Sequence, residues 1–277
     1  MKMSIVIKGN GEREEFHIEK LALSMKNVGA DPALAEHVAR AIGAEVKEGM
    51  TTTEIYRRAY ALLRKEERVT AAKYSMRRAI LDLGPTGFPF EDFVTSLMRA
   101  KGYETKARVI VPGRCIDHEV DVVMTKDGKT IGAELKFHNT PGFKTDVKTA
   151  LYVKARFEDI DNAGHDKEDE MHIHEGWLIT NTKFTSNAIR YSECAGIKLL
   201  GWSYPGTGGL VDLIKETGVY PVTVLTTLSK TEKSRLIAEG VALCHEVMQK
   251  PEILARVGIS GKKADAVVAE STVLCRV

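Results

Sequence analysis

The stretch His118-Glu119-Val120-Asp121-Val122-Val123-Met124-Thr125-Lys126-Asp127-Gly128-Lys129-Thr130-Ile131-Gly132-Ala133-Glu134-Leu135-Lys136 reads as two strands joined by a two-residue turn. Asp-Gly between strand-like runs favours a type I′ turn, because both residues tolerate positive φ. With Asp127 and Gly128 as the turn, Asp121 falls opposite Glu134 and Glu119 opposite Lys136. Period-two alternation places Glu119, Asp121, Glu134, Lys136 and His138 on one face. Val120, Val122, Ile131, Ala133, Leu135 and Phe137 occupy the other, as a core-facing set. Two carboxylates opposite each other, with Cβ atoms about 5 Å apart, repel. A hard divalent cation relieves that repulsion and takes carboxylate oxygens as ligands. Lys136 points into the same site, where an ammonium polarises water or meets an anion. Such a set suits metal-assisted phosphodiester hydrolysis. An exposed hairpin face carrying cross-strand ion pairs is the simpler alternative for this spacing.

The elements around the hairpin follow the order expected of a three-layer α/β domain. Phe90, Phe93, Val94, Leu97 and Met98 form a helical apolar stripe that Gly102 ends. A strand is expected around 107–111, a helix over about 145–159, and a buried strand at Gly176-Trp177-Leu178-Ile179-Thr180. A helix near 186–195 then leads into Lys198-Leu199-Leu200-Gly201-Trp202. Trp177 and Trp202 sit in or beside apolar runs and read as core. His138 is read as either a phosphate contact or a polar strand end. Lys144, Lys148 and Lys154 belong to a solvated helix face or a DNA-backbone contact. His165, His172 and His174 fall in an acidic loop with no metal-ligand spacing.

Leu83-Gly84-Pro85-Thr86-Gly87-Phe88-Pro89 breaks any helix and marks the clearest boundary. Before it, a short hairpin turns at Gly9-Asn10-Gly11, and four helices follow. The first ends at Gly29; Asp31-Pro32 starts the second, which Gly49 ends; Thr51-Thr52-Thr53-Glu54 starts the third; the fourth runs from about Thr70 to Leu83. From about 217 the chain is helical again, with Ser229 or Thr231 capping a helix that Gly240 ends. Two short helices flank Val257-Gly258-Ile259-Ser260. The expected units are 1–84, 85–216 and 217–277.

Composition bounds the remaining possibilities. The 277 residues are 43% hydrophobic and 28% charged, which supports packed cores and excludes disorder or collagen. The formal net charge is +2, so anion-binding surfaces must be local. The four cysteines are far apart, which argues against a disulfide framework. No run reaches the roughly 20 apolar residues of a membrane span, and the first residues lack a signal-peptide pattern. A soluble cytoplasmic protein is expected.

Asp121…Glu134-Leu135-Lys136 resembles the PD-(D/E)xK nuclease motif, and residues 85–205 are similar to Mrr-like restriction endonucleases. Phe90-Glu91-Asp92-Phe93-Val94, His118-Glu119-Val120-Asp121, Ala133-Glu134-Leu135-Lys136 and Leu178-Ile179-Thr180-Asn181-Thr182-Lys183-Phe184 carry the likeness. Val120 stands where that family's motif has Pro. The resemblance implies a restriction-endonuclease-like mixed sheet, with Asp121, Glu134 and Leu135 in a Mg2+ or Mn2+ site. Lys136 becomes the catalytic lysine and Glu91 the acidic helix residue that supports the metal.

Residues 3–83 resemble the ATP-cone, on Val6-Ile7-Lys8-x-x-Gly11, Glu14-x-Phe16-x-x-x-Lys20, Thr52-Thr53-Glu54-Ile55 and Ala72-x-Tyr74-x-x-x-Arg78. That resemblance implies ATP or dATP contacts from Ile7, Lys8, Glu14, Lys20 and Thr52. Lys8-Gly9-Asn10-Gly11 replaces the Lys-Arg-Asp-Gly of that family. Val257 to Ala264 resembles a helix-hairpin-helix, which offers main-chain N–H groups to DNA phosphates. Ser260 stands there in place of a Gly.

These readings combine into a multi-domain α/β protein with a mostly helical first unit, a three-layer nuclease-like centre and a small helical tail. The expected activity is metal-dependent endonucleolytic cleavage of DNA, in restriction or repair, regulated by adenine nucleotide. A homodimer is expected, since cutting both strands needs two sites. The alternatives are a non-cleaving, nucleotide-responsive DNA-binding regulator and a structure-selective repair nuclease.

Overall fold

The computed structural model describes residues 4–9, 11–164 and 172–275. His165 and the turn residue Asn10 lie outside the described residues. A hairpin of β1 (Ile5–Ile7) and β2 (Arg13–Glu15) opens the chain, followed by α1 (Ile18–Lys26), α2 (Pro32–Glu45) and α3 (Thr52–Glu66). Gly29 stands at φ +90 just after α1, where an L side chain is strained. Asp31 caps α2, its Oδ1 accepting from the N–H groups of Ala33 and Leu34 at 2.9 and 3.1 Å. Thr51 Oγ1 accepts from Glu54 N–H at 3.1 Å and caps α3. Two details depart from expectation. α2 ends at Glu45, where Val46 turns extended, before Gly49 is reached. The single helix expected over 70–83 is split into α4 (Arg68–Tyr74) and α5 (Met76–Leu81). Ser75 sits at the break and its hydroxyl donates to the Ala72 carbonyl at 2.8 Å, a local bond that competes with helix continuation.

The centre holds α6 (Phe88–Ala100), β3 (Glu104–Pro112), β4 (Asp117–Lys126), β5 (Lys129–Lys136), β6 (Lys144–Thr145) and α7 (Val147–Gly164). β7 (Glu175–Thr180), β8 (Lys183–Phe184), α8 (Ser186–Ala195) and β9 (Lys198–Leu200) follow. One five-stranded mixed sheet has the order β3-β4-β5-β7-β9. β3, β4 and β5 are antiparallel neighbours, whereas β5, β7 and β9 run parallel. The two-residue turn is as the dipeptide requires: Asp127 and Gly128 stand at φ 52 and 75, and Lys126 pairs with Lys129.

One face of the sheet, through Val122, Met124, Ile131, Ala133 and Leu135, packs on Phe90, Phe93 and Leu97 of α6. The same apolar cluster takes in Met76, Ile80 and Leu83 from the end of the first segment. It continues into the tail, built from α9 (Leu210–Thr217), a short 3-10 turn at Val222–Val224, α10 (Lys230–Ala238), α11 (Cys244–Gln249), α12 (Ile253–Arg256) and α13 (Gly261–Leu274). α9 and α11 are short, eight and six residues, and α9 presents Leu210 and Ile214 to this core from one face. The opposite face packs on Ala150, Val153, Phe157 and Ile160 of α7 and Ala188 of α8. Helices therefore cover both faces of the sheet, with α1 to α3 holding a separate apolar cluster around Met25, Val38, Ile42 and Leu63. No helix among the described residues is long and apolar enough to cross a membrane.

Candidate active site

Strict alternation holds along β4 only as far as Val122. Val122 and Met124 pack with α6, yet Val120 packs with α7. On β3, Ala107 faces Val122, while Val109 faces Val120 and packs on the α7 side. Between them Arg108 stands at φ 53, and the β3–β4 ladder skips the Arg108–Asp121 pair. Both strands thus switch faces at this point, and Asp121 lies at the switch.

The β4–β5 ladder ends at Val122–Ala133. Asp121 and Glu134 are neighbours without main-chain pairing, because the strands splay there. Asp121 fills the gap by accepting the Leu135 N–H on Oδ2 at 2.7 Å. The expected Glu119–Lys136 opposition is not formed, because the β4–β5 ladder has already ended at Val122–Ala133; Glu119 keeps its pairing with Ile110 on the other edge of β4. The shared face expected for Val120 and Val122 is likewise corrected, since the switch at Asp121 sends them to different cores.

Above the splayed strands lies Arg156 of α7. Its guanidinium bonds the Glu134 carboxylate and the Tyr152 hydroxyl, and donates to the Glu119 carbonyl at 2.9 Å. Its Cζ also sits 4.8 Å from the centre of the Tyr152 ring. Two glycines place this helix. Gly132 and Gly176 are paired across β5 and β7, and a Cβ on either would come within 2.5 Å of the Phe157 ring. The missing side chains let α7 press onto the sheet, which brings Arg156 over Glu134.

On the α6 side, Glu91 and Asp92 are held by Arg108, which donates at 3.1 Å to Glu91 and 2.9 Å to Asp92. Burial raises the Glu91 carboxyl above its ordinary value; Arg108 opposes the rise and the Asp121 charge adds to it. Burial also raises Asp121, against the Leu135 N–H and Arg156. Glu134 is pushed up to about 7, first by burial and then by Asp121, with Arg156 and Lys136 pulling the other way. Three half-buried carboxyls thus feel one another's charge where β4 and β5 part, a cost that a cation would reduce.

Lys136 is exposed, two residues beyond Glu134 on the same strand face. The Leu135 side chain is buried in the α6 core, so its main-chain carbonyl is its only donor to a cation. Carboxylates and a carbonyl form an all-oxygen donor set, which suits Mg2+ or Mn2+ and leaves positions for water. Among the described residues no three His, Cys, Asp or Glu side chains converge as a ready-made metal cage. A site of two carboxylates plus a carbonyl needs no such cage.

The other singled-out residues are placed as follows. His138 donates its N–H to Asn181 Oδ1 at 2.9 Å, and its ring Nε2 lies 3.2 Å from Thr145 Oγ1. It therefore anchors the segment after β5. Lys154 pairs with Glu158 at 3.2 Å, while Lys144 and Lys148 are exposed. His174 Nδ1 accepts the Thr130 N–H at 3.1 Å, and Trp177 and Trp202 pack against the main core. In the first segment, Lys8 and Lys20 converge on Glu14 at 2.9 and 3.9 Å. Thr52 and Lys8 line one cavity, Ile7 pairs with Thr51, and Glu14, Lys20 and Thr52 line a second, smaller cavity. Arg108, Arg156 and Tyr152 carry no motif. The Tyr152/Arg156 spacing of four residues on a helix is the one local sign of them.

The mixed sheet clad on both faces by helices, with Asp121, Glu134 and Lys136 where its central strands β4 and β5 part, defines a restriction-endonuclease-like domain. Residues 85–202 match the family model described as restriction endonuclease, which suggests a nuclease. Residues 220–275 match the model described as AF1548-like, C-terminal. The chain is 40% identical over 176 residues to an uncharacterized protein of Archaeoglobus fulgidus, covering 63% of this chain and 95% of that one. It is also similar to the crystal structure of a protein of unknown function, AF1548, at 38% identity and a TM-score of 0.56. That likeness covers 68% of this chain and 98% of the other. The chain belongs to the AF1548-like family.

Proposed function

We propose that the protein is a divalent-metal-dependent endonuclease that hydrolyses DNA phosphodiester bonds. The observation that supports this most directly is the crowding of Glu91, Asp121 and Glu134, all with raised carboxyl pKa values, beside the exposed Lys136. A structural hairpin gains nothing from that repulsion. Asp121, Glu134 and the Leu135 carbonyl would hold Mg2+ or Mn2+, with Glu91 supporting from α6. When bound, the cation supplies positive charge to the scissile phosphate and lowers the pKa of water. Lys136 orients the attacking water and donates to a non-bridging phosphate oxygen, and cleavage leaves a 5′-phosphate. The tail assists in holding DNA, and two copies act together to cut both strands.

In the same proposal the first segment responds to ATP or dATP. Support comes from Lys8, Glu14 and Lys20 gathering at one place and from Thr52 lining cavities beside them.

The test is nicking and linearisation of supercoiled plasmid with Mg2+ or Mn2+, with and without ATP, for wild type and Lys136→Ala. Cleavage that needs both the metal and Lys136 is expected. Retained DNA binding with no cleavage of plain or methylated plasmid would move the reading to a nucleotide-responsive regulator.

A further inference from the structure

A cavity of about 550 Å3 lies between the first segment and the nuclease domain. Its walls come from both sides: Lys8, Arg77 and Arg78 from one, Lys144 and Lys183 from the other. Five cations therefore meet a single lining carboxylate, Glu12. Lys8 is engaged by Glu14 and Glu12, and Arg78 by Asp82. No ion pair among the described residues engages Arg77, Lys144 or Lys183. The two lysines are also register partners, Lys144 on β6 opposite Lys183 on β8 in a two-stranded parallel ladder. Like charges at neighbouring positions repel, and an anion held between them would relieve that repulsion.

The cavity has the size of a small-ligand site, which typically spans about 300–1,000 Å3. It also offers rings. Phe143 and Tyr56 line it; Tyr56 is stacked with both Tyr60 and Tyr74, at 6.2 and 5.2 Å between centroids, whereas Phe143 is largely exposed and is the ring open to a base. Cations for phosphates together with aromatic faces for a base are what a nucleoside polyphosphate requires.

We propose that this cleft binds a nucleoside triphosphate between the two domains, with Lys144 and Lys183 of the nuclease domain and Arg77 of the first segment holding its phosphates. The inference rests on reading the first segment as nucleotide-responsive, and adds that the nuclease domain completes the site. It also supplies a route to the catalytic end of the sheet. Lys144 adjoins Thr145, whose hydroxyl contacts the His138 ring, and that ring lies against Phe143 at 4.4 Å between centroids. His138 is two residues from Lys136. An anion that draws Lys144 and Lys183 together acts on the segment that leaves the catalytic strand.

The experiment is isothermal titration calorimetry on the full chain with ATP and with inorganic triphosphate. It compares wild type, the Lys144→Glu/Lys183→Glu double variant and Arg77→Glu, with ligand-free melting temperatures as the control for folding. Both variants are expected to bind both ligands about tenfold or more weakly, the loss expected for a charge-assisted phosphate contact. Wild-type ATP affinity in the double variant and in Arg77→Glu would overturn this site while leaving nucleotide response by the first segment standing. Absence of ATP binding to the wild type would overturn both. Unchanged ATP binding with weakened plasmid binding would assign these cations to the DNA backbone instead, and the inference would fail.

Discussion

The Arg156 guanidinium of α7 is bonded to the Glu134 carboxylate of β5, and both side chains are largely shielded from solvent. Arginine here does for Glu134 what a metal ion would do: it offsets a charge that burial and Asp121 make costly. Removing it leaves Glu134 with Lys136 as its remaining nearby cation.

Arg156→Gln is therefore expected to lower stability without metal by about 1–3 kcal/mol, the cost of stranding a buried hydrogen-bonded group. Addition of Mn2+ should raise the melting temperature of the variant more than that of wild type. Differential scanning fluorimetry with EDTA and with Mn2+ checks this; equal metal-induced shifts would show that Arg156 and the cation do not share Glu134.

Glu134 also sets a pH dependence. Its carboxyl is raised from an ordinary value of 4.5 to about 7 in the folded protein, so the folded state binds the proton more tightly than the unfolded state. The stability this supplies is fully present below about pH 4.5 and is lost as pH rises through 7. Chemical denaturation of the metal-free protein between pH 5 and 8 should show the loss, up to about 3 kcal/mol from this group. Glu134→Gln should flatten that slope and stabilise the metal-free protein at pH 8 while abolishing cleavage.

Asp121 has two separable roles, as acceptor of the Leu135 N–H and as charge in the site. Asp121→Asn keeps an oxygen for that N–H, so melting close to wild type with cleavage lost is expected. Asp121→Ala strands the N–H in a buried strand and should cost about 1–3 kcal/mol as well. Equal stability losses in the two variants would show that the bond to Leu135 contributes little.

Much of this arrangement is legible in the sequence, and the parts that are not have identifiable causes. Asp127-Gly128 fixes the turn and hence the Val122–Ala133 register, because a dipeptide with two positive φ values has few alternatives. The stripe from Phe90 to Met98 marks α6 and places Glu91 at its start. The switch of faces at Asp121 is hidden, because it goes with Arg108 on the neighbouring strand, a non-glycine residue at positive φ that tertiary contacts to Glu91 and Asp92 hold in place. Arg156 is hidden for a related reason: its partner lies 22 residues away, and two glycines, one on β5 and one on β7, determine the approach of its helix.

That approach yields the last prediction. A Cβ on Gly132 meets the Phe157 ring at 2.5 Å and the Ile173 side chain at 2.9 Å, both closer than packed atoms allow. Gly132→Ala must therefore lift α7 from the sheet or turn Phe157 out of its place, at a cost of about 1–3 kcal/mol for overpacking. Because Arg156 neighbours Phe157, the same displacement should draw the guanidinium off Glu134. Its metal-free stability should then fall more steeply with rising pH than that of wild type, because Glu134 loses the cation that holds its carboxyl down. Trimming the ring in a Gly132→Ala/Phe157→Leu double variant makes room for the methyl and should recover part of the stability. Denaturation curves of the two single variants and the double measure the coupling directly. Simple additivity would show that the Gly132–Phe157 contact does not set the height of α7 above the site.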